Sequence, residues 1–356
     1  MSRFVFLTSG DLSSAAYFRH VNLVNQLALS GEKVTFSATN TPENRAFSAG
    51  FLNKNVTWYW YSSTKLLGAL EVRSFLAKSN FEYVVQLNSN LRSLINLAFI
   101  KKRIVLEIDE PSFLRDDGIW SNFLNKFLFS WLSRKAFKVI VCAKELLKYY
   151  PSAVYIHHGN YADVKEIQLN HNPFETDNYF VYLGNFFPLW DHEKILYGLR
   201  NSKQRGFTPK VILIGSGPDL ESSKEFCRDH GLDNVHFTGY LSQHDWLPIL
   251  RGARALLFPM ADTQLNRCRC PSKIFAYFAA KRPVIAHAVG EIVTLLPDSK
   301  FIDPDVDIIE ALEAAHRPDF EVYEHNQCLK TDLSYESMAA KWLGAIAFDI
   351  RFEESK

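Results

Sequence analysis

The residues best suited to chemistry gather in a few short segments. Pro271-Ser272-Lys273 opens a helical run, Ile274 to Ala280, followed by Lys281-Arg282-Pro283 and the apolar triplet Val284-Ile285-Ala286. Proline fixes φ where a helix begins, and its missing N–H costs nothing there. The free N–H groups of such a first turn, with the Lys273 ammonium and the nearby Arg267 and Arg269, suit an anion. A helix start of this kind in an α/β domain is where a phosphate-bearing ligand binds, although an ordinary βαβ element with a solvated lysine fits the same residues. Leu106-Glu107-Ile108-Asp109-Glu110-Pro111 is a strand that ends in carboxylates and is stopped by proline. Asp109 and Glu110 could orient or deprotonate a hydroxyl, or one of them could cap a helix from Phe113 onward. At Ser9-Gly10-Asp11, Gly10 lets backbone approach a ligand closely, or the segment is a plain turn with Asp11 or Ser13 as a cap.

Other motifs lose to their spacing. His157-His158 has His171 too distant for a metal-ligand pattern, and Cys268-x-Cys270 has no second cysteine pair. Asp303-Pro304-Asp305 reads as the cap of a helix over Ile308 to Ala315 rather than as a metal motif. Gly215-x-Gly217 has Leu220 where a dinucleotide fingerprint wants glycine. Neither a metal nor a dinucleotide cofactor is expected.

The elements that must position these groups alternate. Strand patterns at Phe4–Thr8, Gly31–Phe36, Val56–Tyr61, Tyr83–Leu87, Ile104–Ile108, Val139–Cys142 and Val154–His157 are separated by helical patterns, the first from about Ala15 to Leu29. After a polar stretch, Asp163 to Asn178, the alternation restarts with strands Tyr179–Leu183, Lys210–Ile214, Val235–Thr238, Ala255–Phe258 and Pro283–Ala286. Helical patterns lie around Glu193–Leu199 and Leu220–His230. Strands alternating with helices imply parallel doubly wound sheets, so two Rossmann-like domains facing across a cleft are expected.

Length and composition agree. A chain of 356 residues with 47% hydrophobic content suits two domains, each with a core. A formal charge of +1 argues against a nucleic-acid binder. The odd number of cysteines, five, without a disulfide framework's spacing points to a reducing cytosol. Phe4-Val5-Phe6-Leu7 is too short for a signal-peptide core, and no run reaches the ~18 apolar residues of a membrane helix. Between 119 and 138, Ile119, Trp120, Phe123, Leu124, Phe127, Leu128, Trp131 and Leu132 recur at helical spacing beside Lys126, Arg134, Lys135 and Lys138. Such a helix can lie in a lipid headgroup region, or it can be a core helix with snorkelling lysines.

Several segments in order carry a family resemblance. They are Tyr182-Leu183-Gly184-Asn185, Leu213-Ile214-Gly215-Ser216-Gly217-Pro218, Phe237-Thr238-Gly239-Tyr240-Leu241, and Pro271-Ser272-Lys273 with Arg282-Pro283-Val284-Ile285. In these the chain resembles a GT-B glycosyltransferase of the group 1, family 4-like class, most strongly from Tyr179 to Leu296. Gly31-Glu32-Lys33-Val34, Ile156-His157-His158-Gly159-Asn160 and Leu333-Ser334-Tyr335-Glu336 through Trp342-Leu343 extend it. The resemblance implies an acceptor-side domain over 1–165, a nucleotide-sugar donor domain over 166–332, and a C-terminal helix over 333–356 crossing back onto the first. It implies glycosyl transfer without metal or cofactor, with retention, from a nucleotide-sugar to a glycan or lipid-linked acceptor, as in surface polysaccharide assembly. The donor would meet Gly10, Gly184, Asn185, Gly215, Ser216, Gly217, Gly239, Tyr240, Leu241, Arg267, Arg269, Ser272 and Lys273, and Asp109 with Glu110 would serve the acceptor. A cytoplasmic location follows, peripheral on the inner face of the cell membrane through helix 119–138.

The departures matter as much. Where the family carries its pair of glutamates this chain has Cys268 and Ala276, and where the family carries a diphosphate-binding Arg and Lys it has positions near Asn185 and Asp191. Lys273, Arg267 and Arg269 are the candidates to replace that charge. A catalytically silent nucleotide-sugar-binding domain and a GT-B nucleotide-sugar epimerase stay open as alternatives.

Overall fold

The structure, a computed structural model, describes residues 3–12, 17–49, 55–88, 96–98, 100–114, 119–159, 170–174, 178–187, 191–296, 302–315 and 333–353. Ser13, most of the polar stretch from Asp163 to Asn178, and the start of the helix expected from Ala15 lie outside these residues. The chain divides into two compact units. One comprises Met1–Gly159 with Cys268–Cys270 and Leu333–Lys356, the other Asn160–Arg267 with Pro271–Asp332.

The first unit is built on parallel strands β1 (Phe4–Leu7), β2 (Val34–Thr39), β3 (Val56–Tyr61), β4 (Tyr83–Leu87), β5 (Arg103–Ile108), β6 (Lys138–Val141) and β7 (Val154–Tyr155). They form a seven-stranded sheet in the order β3-β2-β1-β4-β5-β6-β7. Strands buried on both faces read as continuous apolar runs, as Phe4-Val5-Phe6-Leu7 does. Helices α1 (Phe18–Leu29), α2 (Pro42–Ala49), α3 (Lys65–Lys78) and α4 (Ile119–Lys135) connect the strands. The strand order reverses between β1 and β4, so the carboxyl ends of β1, β4 and β5 converge where such sheets bind ligands. After β5, neither Asp109 nor Glu110 begins a long helix. A short 3-10 turn, Ser112–Leu114, comes first, with the Leu114 N–H donating to the Pro111 carbonyl.

The second unit repeats the plan with β8 (Phe180–Leu183), β9 (Val211–Ile214), β10 (Val235–Gly239), β11 (Ala255–Phe258) and β12 (Val284–Ala286), parallel in the order β10-β9-β8-β11-β12. Its helices are α5 (Asp191–Gln204), α6 (Leu220–Asp229), α7 (Gln243–Gly252), α8 (Gln264–Arg267), α9 (Lys273–Ala280), α10 (Glu291–Leu295) and α11 (Ile308–Ala315). Ile274 to Ala280 are all buried, so α9 is enclosed rather than amphipathic, and Lys281 ends it in the left-handed conformation (φ 56°). Tyr277 ties this helix to the sheet, its hydroxyl accepting from the Leu183 N–H (3.1 Å) and donating to the Leu257 carbonyl (2.9 Å). The cap of α11 is Asp307, whose Oδ1 accepts from the Ile309 N–H at 2.8 Å; Asp303 instead closes a local turn onto the Asp305 N–H.

The last helix, α12 (Tyr335–Glu353), belongs to the first unit. Its Tyr335, Met338, Ala339, Trp342 and Ile346 join the core formed by Phe4, Phe6, Leu23, Leu27 and Phe36. Trp342 sits edge-on to Phe4 and stacks with Phe6, at ring separations of 5.3 and 5.9 Å.

Candidate functional site

In the first unit the carboxylates of β5 divide by depth. Glu107 is fully buried and held on three sides: Arg19 Nε at 3.1 Å, His20 Nε2 at 3.1 Å, and a hydrogen bond from Trp342 Nε1. Burial alone would raise its carboxyl, but Arg19 and His20 outweigh that and hold it at about 2. It is a permanent anion that neutralises Arg19, whose Nη1 also donates to the His157 carbonyl at 2.7 Å. Asp109 lies two residues on, 3.6 Å from the Arg19 guanidinium and with 15% of its side chain exposed. Burial wins at this position and raises the Asp109 carboxyl. Asn88, itself left-handed (φ 50°), accepts from the N–H groups of both Asp109 and Glu110 and fixes the turn that presents them. Of the β5 carboxylates, Asp109 has the raised carboxyl and partial exposure that acid/base work needs, whereas Glu107 is structural. Cys142 and His158 approach Asp109 closely enough to share an ion, but burial pushes the Cys142 thiol up and the His158 imidazole down, beside the Arg19 guanidinium. At Gly10 an added Cβ would meet the Tyr17 ring at 2.9 Å, so this glycine is needed for packing whatever else approaches it.

In the second unit the glycine turns stand at the carboxyl ends of adjacent strands. The Gly215 N–H donates to the Gly239 carbonyl (2.9 Å) and the Gly184 N–H to the Ile214 carbonyl (3.0 Å). Gly215 has φ 144°, and a Cβ there would stand 1.8 Å from the Gly184 carbonyl oxygen; at Gly217 one would meet the Phe186 carbonyl at 2.1 Å. No side chain fits either turn, so the backbone after β8 and that after β9 approach closely here. Asn185 and Ser216 are exposed at the surface of these turns, Gly239 (φ 73°) turns the end of β10, Tyr240 is 80% exposed, and Leu241 is half-buried.

The charges are arranged differently from the sequence expectation. Lys273 is committed to Asp191: Nζ lies 2.8 Å from Oδ2, and it stands over the rings of Tyr182 and Phe258 at 4.5 and 4.8 Å. Asp191 thus stands near a position where the resemblance expects a lysine and pairs with the lysine at 273. Arg267 is held by Asp262 through a two-pronged contact at 2.5 Å, which lowers the Asp262 carboxyl. Arg269 belongs with Cys268 and Cys270 to the first unit, Arg267 and Lys273 to the second. Ser272 sits at the cap position of α9 without a side-chain capping bond. Cys268 and Ala276, where the glutamates are expected, are buried.

Sequence reasoning missed His192. Beside Asp191 in the first turn of α5, its ring is fully buried and packs 4.7 Å from Phe186. Burial pushes the imidazole down and outweighs Glu193, Asp219 and Asp191. The signal available in the sequence was only a histidine at a helix start next to two acids.

The parallel sheets and their glycine turns define the class: an α/β chain of the GT-B fold. Residues 177–316, within the second unit, match the family described as glycosyl transferases group 1. Over 83 residues, 23% of the chain and 21% of the relative, the sequence is 31% identical to the O-antigen chain mannosyltransferase C of Escherichia coli, so this match spans about a fifth of that protein's length. Among solved structures, a glycosyltransferase from Rickettsia africae is similar at TM-score 0.72 and 12% identity, covering 96% of this chain and 97% of its own. HepE of Anabaena in complex with UDP is similar at TM-score 0.67 and 11% identity, covering 100% and 99%. A UDP-N-acetylglucosamine 2-epimerase described from Listeria monocytogenes is similar at 0.61 and 14%, covering 100% and 98%. At these identities the structural likeness establishes the fold alone.

Proposed function

We propose that this protein transfers a glycosyl group from a nucleoside diphosphate sugar to a glycan or lipid-linked saccharide in the assembly of a surface polysaccharide, with retention of configuration. The observation that carries the reading is the placement, within a unit matched by the group 1 model, of the close glycine turns at Gly184, Gly215 and Gly217 beside the first turn of α9, where Lys273 Nζ lies 3.5 Å from the Tyr182 hydroxyl that itself lies against Gly184. The UDP of the HepE complex and the O-antigen transferase favour this donor and acceptor class.

As the anomeric bond breaks, negative charge grows on the departing diphosphate. Groups fixed before that moment stabilise the transition state more than the ground state. Lys273, held in place by Asp191 and two aromatic faces, is such a group. Asp109 orients the acceptor hydroxyl on the first unit, its turn fixed by Asn88. The exposed aromatic face of α4 rests on an anionic lipid surface where lipid-linked acceptors are found.

A thermal-shift screen of UDP-, GDP- and ADP-sugars tests the donor, because binding raises the melting temperature by mass action. The stabilising sugar is then offered with saccharide acceptors and the product's anomeric configuration read by NMR. Lys273→Ala is expected to weaken nucleoside diphosphate binding at least tenfold; unchanged affinity would remove Lys273 from the donor site. Binding without turnover would favour the silent domain, and conversion of the donor without an acceptor would favour the epimerase.

A further inference from the structure

Polar residues interrupt the apolar sheet of the first unit at one level. Leu7 of β1 stands in register with Ser37 of β2 on one side and Gln86 of β4 on the other, so the three side chains share a face of the sheet near its carboxyl end. Gly68 and Ala69 of α3 stand over this row, and their small size leaves a cavity between helix and sheet. The helix is held close: a Cβ at Gly68 would meet the Ser62 carbonyl oxygen at 2.2 Å. About 10 Å³ of the cavity is open to the centre of a water-sized sphere, which is room for about one water molecule or one hydroxyl. Of the lining residues only Ser9 is exposed, so the cavity opens at the end of β1.

Two walls of this cavity are unsatisfied. Ser37 is 0% and Asn96 7% exposed, yet Ser37 Oγ and Asn96 Oδ1 have no hydrogen-bond partner among the described residues. Polar atoms sealed in that way are costly to the fold and rare among native structures. Their polar neighbours are already committed: Thr8 Oγ1 donates to the Ser37 carbonyl at 2.6 Å, and Gln86 Nε2 to the Leu87 carbonyl at 2.9 Å. Among the described residues no charged side chain lines the cavity, so it does not suit a phosphate or a carboxylate. A neutral group that both donates and accepts fits it instead.

We propose that this cavity receives one hydroxyl of a saccharide acceptor, which makes Ser37 and Asn96 specificity-determining residues. That hydroxyl donates to Asn96 Oδ1 and accepts from the Ser37 hydroxyl, so both buried atoms are satisfied by the same group. An analogue without it leaves both unpaired, and a site of that kind discriminates strongly. The position suits an acceptor. β4 lies between β1 and β5, and a strand spacing of about 4.8 Å puts the opening at Ser9 about 10 Å from Asp109 at the end of β5, within reach of a short saccharide. Gln86 and Asn88, which holds the turn of Asp109, lie on the same short stretch of chain. Asp109 thus faces the hydroxyl that is glycosylated, and the cavity reads a second hydroxyl of the same molecule. The proposal rests on the acceptor reading of Asp109 above.

The test is saturation-transfer NMR of the full chain with UDP present, against disaccharides of glucose, galactose, mannose and N-acetylglucosamine. Monodeoxy forms of the saccharide that binds are then titrated against the unaltered protein. Removal of one particular hydroxyl should weaken binding at least tenfold, and Ser37→Ala should bind the parent and that deoxy form with nearly equal affinity. Equal binding of every deoxy form by the unaltered protein, or a preference undiminished in Ser37→Ala, overturns the subsite. Ser37→Ala removes an unpaired hydroxyl, so its melting temperature should not fall. A fall with unchanged saccharide affinity identifies a resident water only and overturns the proposal. Asp109→Asn separates the two readings. Transfer that is lost in Asp109→Asn but blind to every deoxy position and to Ser37→Ala removes the subsite and keeps the acceptor reading. A hydroxyl preference that depends on Ser37, in a chain whose transfer ignores Asp109→Asn, keeps the subsite and removes Asp109. If no saccharide of the panel binds, the subsite falls, and the transfer assay above still decides the acceptor reading.

Discussion

Asp191 and Lys273 expose only 9% and 15% of their side chains, so water screens their attraction little and each depends on the other to offset desolvation. Asp191→Ala is expected to cost about 2–3 kcal/mol in urea unfolding, below the range for a fully buried pair because both groups keep some solvent. Adding Lys273→Met to that variant should restore part of the loss; a purely additive double variant would show that the two do not act as a pair. Glu107 carries a pH prediction. Its folded value of about 2 lies below that of an unfolded glutamate, so its contribution is complete above about pH 5 and is lost as pH falls toward 2. Asp109, raised by burial, acts with the opposite sign and softens the slope. Melting temperature should therefore fall through this acid range, and Glu107→Gln, about 3 kcal/mol less stable at pH 7, should show a much flatter dependence. At this scale the sequence was only partly legible. The departure at Asp191 was visible as a missing cation, but its partner lies far along the chain at 273. Nothing local marked Arg19 as the counter-ion of Glu107, or His192 as a sealed ring.

Elements were far more legible, for a physical reason. Buried parallel strands write themselves as apolar runs, and turns that crowd a Cβ or hold φ positive favour glycine, so β8, β9 and β10 with Gly184, Gly215 and Gly239 could be placed from residue type alone. Caps were less so: Asp303 and Asp307 both precede α11 at plausible spacing, and only the coordinates show Asp307 reaching the Ile309 N–H. The C-terminal helix combines both lessons. The resemblance implied it as a helix packing back on the first domain, whereas the hydrogen bond from Trp342 to Glu107 joins residues 235 apart in the chain. α12 is thus part of the first unit's core and of its buried ion network together. Trp342→Phe keeps most of the apolar contact with Phe4 and Phe6 but leaves a carboxylate oxygen short of a donor, for an expected cost of about 2 kcal/mol. Trp342→Ala adds a cavity and should cost about 3–5 kcal/mol. Chemical denaturation of both variants checks the ordering, and equal losses would deny the hydrogen bond any separate role.

For the whole molecule, a net charge of +1 gives no general attraction to an anionic membrane, so any attachment must come from a local surface. The described residues contain no helix long and apolar enough to cross a membrane. What α4 offers instead is a stripe on one face: Trp120 85% exposed, Phe123 69%, Leu124 46% and Phe127 56%, while Leu128, Phe129 and Leu132 on the other face are buried in the unit. Lys126 and Arg134 lie along the same helix, and Lys135 is drawn inward to the Leu97 and Ala98 carbonyls. The sequence could not separate a wholly packed helix from one with an exposed aromatic face, because Leu128 and Trp120 differ only in which way the fold turns them. Each aromatic ring taken up by lipid is worth about 1.5–3 kcal/mol, and the flanking cations add the second signal that stable attachment requires. Flotation with vesicles containing anionic lipid is therefore expected to carry the chain upward. The variant Trp120→Ser/Phe123→Ser/Phe127→Ser should stay at the bottom with an unchanged melting temperature, since the removed rings are mostly in water. Salt separates the contributions: at 1 M the Debye length shrinks to about 3 Å, so binding that persists there comes from ring insertion and binding that vanishes came from Lys126 and Arg134. A triple variant that floats as well as the unaltered protein would show that α4 is not the attachment surface.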